Sequence, residues 1–116
     1  MKHQLADGPL KEQAKGILKG LLTGHKPRLE DVAVELQVSA RTLQRRLLEE
    51  GITFHNLVEK ARREMAQHYL SQSSLELTDT AYLLGYEDPN SFIRAFHKWE
   101  GTSPGEWRSA HCPSAA

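Results

Sequence analysis

A pattern laid down between Leu29 and Gly51 is laid down again between Leu77 and Gly101, and a chain carrying two copies of one short unit has few folds open to it. Leu29, Asp31, Ala33 and Leu36 correspond to Leu77, Asp79, Ala81 and Leu84. After one inserted residue, Leu43, Arg45 and Leu47 correspond to Phe92, Arg94 and Phe96; after another, Gly51 corresponds to Gly101. The apolar members recur at spacings of three and four, the period of a helix with one buried face. Each copy therefore reads as two short helices joined by a tight turn.

The remaining residues fit an all-α chain. Residues 1–9, with Gly8-Pro9 and no apolar period, read as a flexible lead-in. Ala14, Ile17, Leu18, Leu21 and Leu22 predict a first helix that Gly24 and Pro27 break. The helix from Leu29 carries Glu30 and Asp31 in its first turn, where carboxylates favour the positive end of the dipole. Ser39 is the expected N-cap of the next, with Leu43, Leu47 and Leu48 inward and Arg41, Gln44 and Arg45 on another face. Thr53 caps the longest helix, along which Phe54, Leu57, Val58, Ala61, Met65 and Tyr69 form a stripe to about Leu70, roughly 27 Å of rise. Thr78 is the expected cap of the helix that buries Leu77, Ala81 and Leu84, and Gly85 is its left-handed end. Asp88 caps the following helix, with Pro89 at its first position. There Phe92, Phe96 and Trp99 share one face, and Asn90, Ser91 and Arg94 another. Ser103-Pro104 starts a last short turn, Trp107 docks on the core, and the tail from Ser109 reads as disordered. The expected organisation is a first helix-turn-helix subdomain at 10–51, a linker helix at 52–72, a second subdomain at 73–108 and a tail at 109–116.

Two helices with a short turn, the second showing amides and cations, are the parts of a helix-turn-helix DNA reader. Arginine can donate two hydrogen bonds to the O6 and N7 of guanine, and glutamine or asparagine can address adenine the same way. Apolar residues at helical spacing would by themselves mean only a core; two copies, each with an arginine at the same step, mean more. A connecting helix of about 27 Å, plus the width of its neighbours, approaches the pitch of B-DNA, about 34 Å. One chain could then read two successive major-groove segments, on an asymmetric site.

Composition sets limits without deciding. The 15 basic and 15 acidic residues cancel, so affinity must rest on how charge is distributed, with Arg41, Arg45 and Arg46 in one cluster and Lys60, Arg62 and Arg63 in another. No apolar run nears the roughly 20 residues that span a bilayer, and the start lacks a signal-peptide core. One cysteine, Cys112, allows no internal disulfide and suits a reducing cytoplasm. The histidines are scattered and there is no HExxH, CxxC or glycine-rich phosphate loop, so neither catalysis, nor a metal, nor a cofactor is indicated. The rival reading is a helical protein–protein interaction module without DNA binding, whose mark would be an exposed apolar groove.

Ala81, Leu84-Gly85-Tyr86, Ser91-Phe92-Ile93-Arg94-Ala95-Phe96, Trp99, Gly101, Ser103-Pro104 and Arg108 resemble the signature of the AraC/XylS-type transcription regulators. Ala33, Val38-Ser39, Leu43-Gln44-Arg45 and Gly51 agree in the first half. The resemblance covers about Leu10 to Arg108. It implies an all-α domain of seven helices, two helix-turn-helix subdomains joined by a long helix, in a homeodomain-like arrangement. It further implies binding to double-stranded promoter DNA, usually activation of transcription, and RNA polymerase as a partner. Any effector would be bound by a domain absent from this chain, which reads as the C-terminal fragment of a longer regulator rather than a stand-alone member. By position, the first reading helix would offer Arg41, Gln44 and Arg45 to bases, with Thr42 and Arg46 nearer phosphates. The second would offer Pro89, Asn90, Ser91 and Arg94; proline brings no side-chain donor, so base reading there rests on Asn90 and Arg94. Gln37 stands where the second half has Gly85, which predicts a tighter or strained first turn.

Overall fold

The computed structural model describes residues 9–24, 26–72 and 75–111, and these hold seven α-helices and no strand. In chain order they are α1 (Leu10–Leu21), α2 (Leu29–Leu36), α3 (Ala40–Glu49), α4 (Phe54–Ser71), α5 (Leu77–Leu83), α6 (Pro89–Glu100) and α7 (Pro104–His111). They divide into two units. Of the described residues, the first takes those through Leu21 and Pro27–Ala61, and the second takes those within Leu22–Lys26 and from Arg62 on. The linker helix is thus shared between the units rather than a body of its own. The expected lead-in, Pro9 apart, and the serines at 73 and 74 lie outside the described residues, as does Cys112.

In the first unit α1, α2 and α3 pack on one another around Ala14, Leu18, Val32, Leu43 and Leu47, all fully buried. Leu57, Val58 and Ala61 of α4 belong to the same unit and are buried too. Leu48 was expected inward but is 56% exposed. Leu43 and Leu47 lie one turn apart on the buried line, whereas Leu48 is about 100° further round, in line with Arg41, Gln44 and Arg45. Ser39 Oγ accepts from the Thr42 amide at 3.0 Å and starts α3 as expected. Asp31 closes the start of α2 by accepting from the Arg28 amide. The start of α1 is held from a distance: Glu50 accepts from the Leu10 amide with Oε2 at 3.0 Å and from Lys11 with Oε1 at 2.8 Å.

The end of α2 shows what the repeat means at the level of single hydrogen bonds. The Gln37 amide donates to the Val34 carbonyl and the Val38 amide to the Ala33 carbonyl. At the end of α5, Gly85 donates to Tyr82 and Tyr86 to Ala81. Both are Schellman closures, which need a left-handed residue at the bend. Gly85 takes φ 88° without penalty; Gln37 takes φ 61° and is the one non-glycine with positive φ among the described residues. The turn has the same hydrogen bonds in both copies, so the substitution at Gln37 shows as backbone strain rather than as a different turn.

The second unit is built on rings. Tyr86, Phe92, Phe96 and Trp107 follow one another at centroid separations of 5.8, 5.8 and 5.9 Å, with Phe92 and Phe96 fully buried. Within α4 the buried line continues from Val58 in steps of four through Arg62, Ala66 and Leu70. Met65 and Tyr69, expected on that line, are half-buried beside it. Arg62 is therefore an interior residue: Nε donates to the Leu84 carbonyl at 3.0 Å and the guanidinium lies 4.5 Å from the Tyr86 ring centroid. Arg63 pairs with Glu100 at 2.7 Å. Of the expected basic cluster, Arg62 and Arg63 are accordingly spent on holding the unit together, while Lys60 is exposed. Leu22–Lys26 joins this unit because Leu22 is buried and the Gly24 amide donates to the Leu83 carbonyl. A Cβ at Gly24 would come within 3.0 Å of the Tyr82 ring.

Two helix ends differ from expectation. Helix α5 begins at Leu77 with Glu76 before it, so Thr78 lies inside the first turn and is not its cap. The helical chain also runs past Ser109 to His111, whose ring stacks 4.1 Å from that of Trp107 and hydrogen-bonds its carbonyl through Nδ1. Ser103 Oγ caps α7 at the Glu106 amide. Arg108, which donates to the carbonyls of Leu70 and Leu75, ties the helix down. Residues 109–111 are thus the last turn of α7, and only 112–116 of the expected tail fall outside the described residues.

Candidate nucleic-acid interface

Helices α3 and α6 place their side chains by one rule. Ser39 and Asp88 are the N-caps, Arg41 and Asn90 the second helical residues, and Thr42 and Ser91 the third. Leu43 and Phe92, then Leu47 and Phe96, anchor the buried side of each helix. What the anchors leave outside is polar. Arg41, Gln44, Arg45 and Arg46 are exposed on α3, with Thr42 half-buried; Pro89, Asn90 and Arg94 are exposed on α6, with Ser91 half-buried. Each unit thus brings its own set of expected residues onto one face.

The two faces differ in their internal bonding. Arg45 Nε lies 3.7 Å from Glu49 Oε2, a pair with both side chains about two-thirds exposed. Such a pair contributes about 0.3–0.5 kcal/mol and opens readily to a better partner. Arg41 and Arg46 have no ion-pair partner among the described residues. In α6, Arg94 Nη2 lies 3.4 Å from Ser91 Oγ. Asp88 accepts from the Ser91 amide at 2.8 Å and from its hydroxyl at 3.2 Å. The Ser91 amide above all holds the Asp88 carboxyl below its ordinary 3.8; desolvation opposes it, and the Ser91 hydroxyl and the charge of Arg94 add smaller lowering effects. Asp88 is thus an anion under all ordinary conditions.

Beside α6 lies an open cleft of about 740 Å³, lined among others by Lys26, Tyr82, Glu87 and Ser91. Lys26 is exposed. Sequence reasoning passed over it, because nothing in the pattern says that the segment 22–26 docks beside α5. The interior role of Arg62 did have a signal, its place on the four-residue line through Val58, Ala66 and Leu70. Glu50 had none. No group of three or more His, Cys, Asp or Glu able to hold a metal occurs among the described residues, and no helix there is long and apolar enough to cross a membrane.

A family model described as a helix-turn-helix domain matches residues 32–110. The chain belongs to the AraC-type helix-turn-helix family. It is similar to VirS, an HTH-type transcriptional regulator of Mycobacterium tuberculosis, at 38% identity over 104 residues, which are 90% of this chain and 31% of VirS. The chain spans less than a third of the length of curated relatives that it matches, VirS among them. Among solved structures, the C-terminal domain of AraT, a response regulator from Geobacillus stearothermophilus, superposes with a TM-score of 0.72 at 31% identity. It covers 90% of this chain and 88% of that one. The DNA-binding domain of AdpA, solved in complex with a target DNA, shares the fold with a TM-score of 0.66 at 23% identity, over 90% and 94% of the two chains.

Proposed function

We propose that this chain is the DNA-binding part of a bacterial transcription regulator, and that α3 and α6 each read a major-groove segment of one promoter duplex. The observation that carries this is the pair of matched faces: each helix buries its apolar anchors at the same steps and leaves amides and guanidinium groups outside. In helix-turn-helix proteins the N-terminal residues of the second helix meet base edges. Arg41, Gln44 and Arg45 of α3 and Asn90 and Arg94 of α6 supply donors for them. Thr42 and Arg46 serve the phosphates beside the first helix. Pro89 makes only van der Waals contact, and Ser91 stands next to Arg94. Lys26 offers the second unit a phosphate contact of its own.

Such a regulator acts in the cytoplasm, where the promoter is, and reaches transcription through RNA polymerase. An effector, where one exists, is bound outside these residues. With equal numbers of acidic and basic residues, non-specific binding is weak and specific contacts carry more of the affinity. Titration of the 116-residue chain against random duplex at two salt concentrations tests the reading. Binding at low salt with a steep salt slope supports it. Absence of binding at low salt would replace it with a protein-interaction module.

A further inference from the structure

Arg45 and Arg94 occupy the same step of the repeat but are held in opposite senses. Arg45 leans one turn toward the C-terminal end of α3, to Glu49. Arg94 leans one turn toward the N-terminal end of α6, to Ser91, which is the end that meets base edges in this type of reader. The difference lies in the caps. In α6 the cap is a carboxylate: Asp88 Oδ1 takes the Ser91 amide at 2.8 Å and Oδ2 takes the Ser91 hydroxyl at 3.2 Å. In α3 the cap is a serine, whose own hydroxyl donates to Thr42 Oγ1 at 3.0 Å.

A serine hydroxyl has one proton and two lone pairs. Ser91 spends its proton on Asp88, so what it turns toward Arg94 is acceptor only, made more negative by the carboxylate behind it. It has no proton left for a base acceptor or a phosphate oxygen. From this geometry we infer that Ser91 is a positioning residue: the chain Asp88–Ser91–Arg94 sets the guanidinium at the reading end of α6 before DNA arrives. The inference rests on the reading of Arg94 as a base donor. Its consequence is an unequal division between the readers. The second helix meets DNA with its arginine already placed, while the first must draw Arg45 away from Glu49.

Ser91→Ala isolates the effect, because alanine keeps the amide that Asp88 caps and suits a helix. In the free chain, the NMR order parameter of the Arg94 Nε–H group is expected to exceed that of Arg45, and to fall to the Arg45 level in Ser91→Ala. On duplex selected by the native chain, Ser91→Ala is expected to weaken binding about 3- to 10-fold, as loss of one hydrogen bond would. It should weaken binding no further in an Arg94→Ala background, and Ser91→Thr should restore it. An equal loss in both backgrounds would make Ser91 a DNA contact in its own right and overturn the inference. So would an Arg94 order parameter unmoved by Ser91→Ala. If the native chain selects no duplex, the DNA reading itself fails, and the order parameters still decide whether Ser91 holds Arg94.

Discussion

Gln37→Gly should make the protein more stable, although glycine usually does the reverse. Gln37 sits at φ 61°, ψ 39° at the end of α2, where an L side chain crowds the following carbonyl at a cost of about 1–2 kcal/mol. Glycine removes that cost but gives back about 0.5–1 kcal/mol through the freedom of the unfolded chain. The Gln37 side chain is exposed and makes no hydrogen bond among the described residues, so its loss subtracts little. The net gain is about 0.5–1 kcal/mol, a rise in Tm of about 2–6 °C for a domain of this size. Thermal and urea melts followed by circular dichroism measure it directly. The reciprocal change, Gly85→Ala at φ 88°, should cost about 1 kcal/mol or more by the same argument. A loss of stability in Gln37→Gly would refute the claim that both turns are closed through a left-handed residue.

Three further outcomes are expected. Phe92→Ala removes a fully buried ring that contacts both Tyr86 and Phe96 and should cost about 3–5 kcal/mol in a urea melt; an unchanged midpoint would contradict the inward face of α6. The Asp88 carboxyl is lowered in the folded chain from its ordinary 3.8, so the stability it contributes is complete above that unfolded value and is lost as pH falls through the lower folded value. The deficit of Asp88→Ala should therefore be constant from pH 7 to 5 and shrink toward pH 3, whereas an equal deficit at pH 3 and 7 would rule out the capping carboxylate. Arg45→Ala should relax base preference within one segment of the selected site, a discrimination of about 1–3 kcal/mol; uniform weakening on every sequence would assign Arg45 to a phosphate.

Much of this was legible because the repeat states the same instruction twice. Ser39, Asp88, Pro89 and Thr53 mark helix starts by local chemistry, and the structure uses Ser39, Asp88 and Thr53 as caps with hydrogen bonds to the third residue on. Leu48 and Thr78 misled because a residue one step from a helical stripe or a helix boundary looks like its neighbour. Arg62 misled for a different reason. A cation on a buried line is read as surface unless its partners are known, and its partners, the Leu84 carbonyl and the Tyr86 ring, come from a helix-turn-helix that the chain reaches only after α4. Glu50 is further still from local reasoning, since the amides it satisfies belong to residues 10 and 11. The residues on the polar faces were visible in advance, whereas the bonds that distinguish Arg45 from Arg94 were not.

Selection of bound sequences from a random duplex pool tests the central claim most directly, because site length, asymmetry and spacing emerge together. Two matched but unlike readers in one chain should enrich a non-palindromic site with two unlike elements, centred about 10–10.5 base pairs apart. A palindrome, a single short element or no enrichment at all would contradict the account.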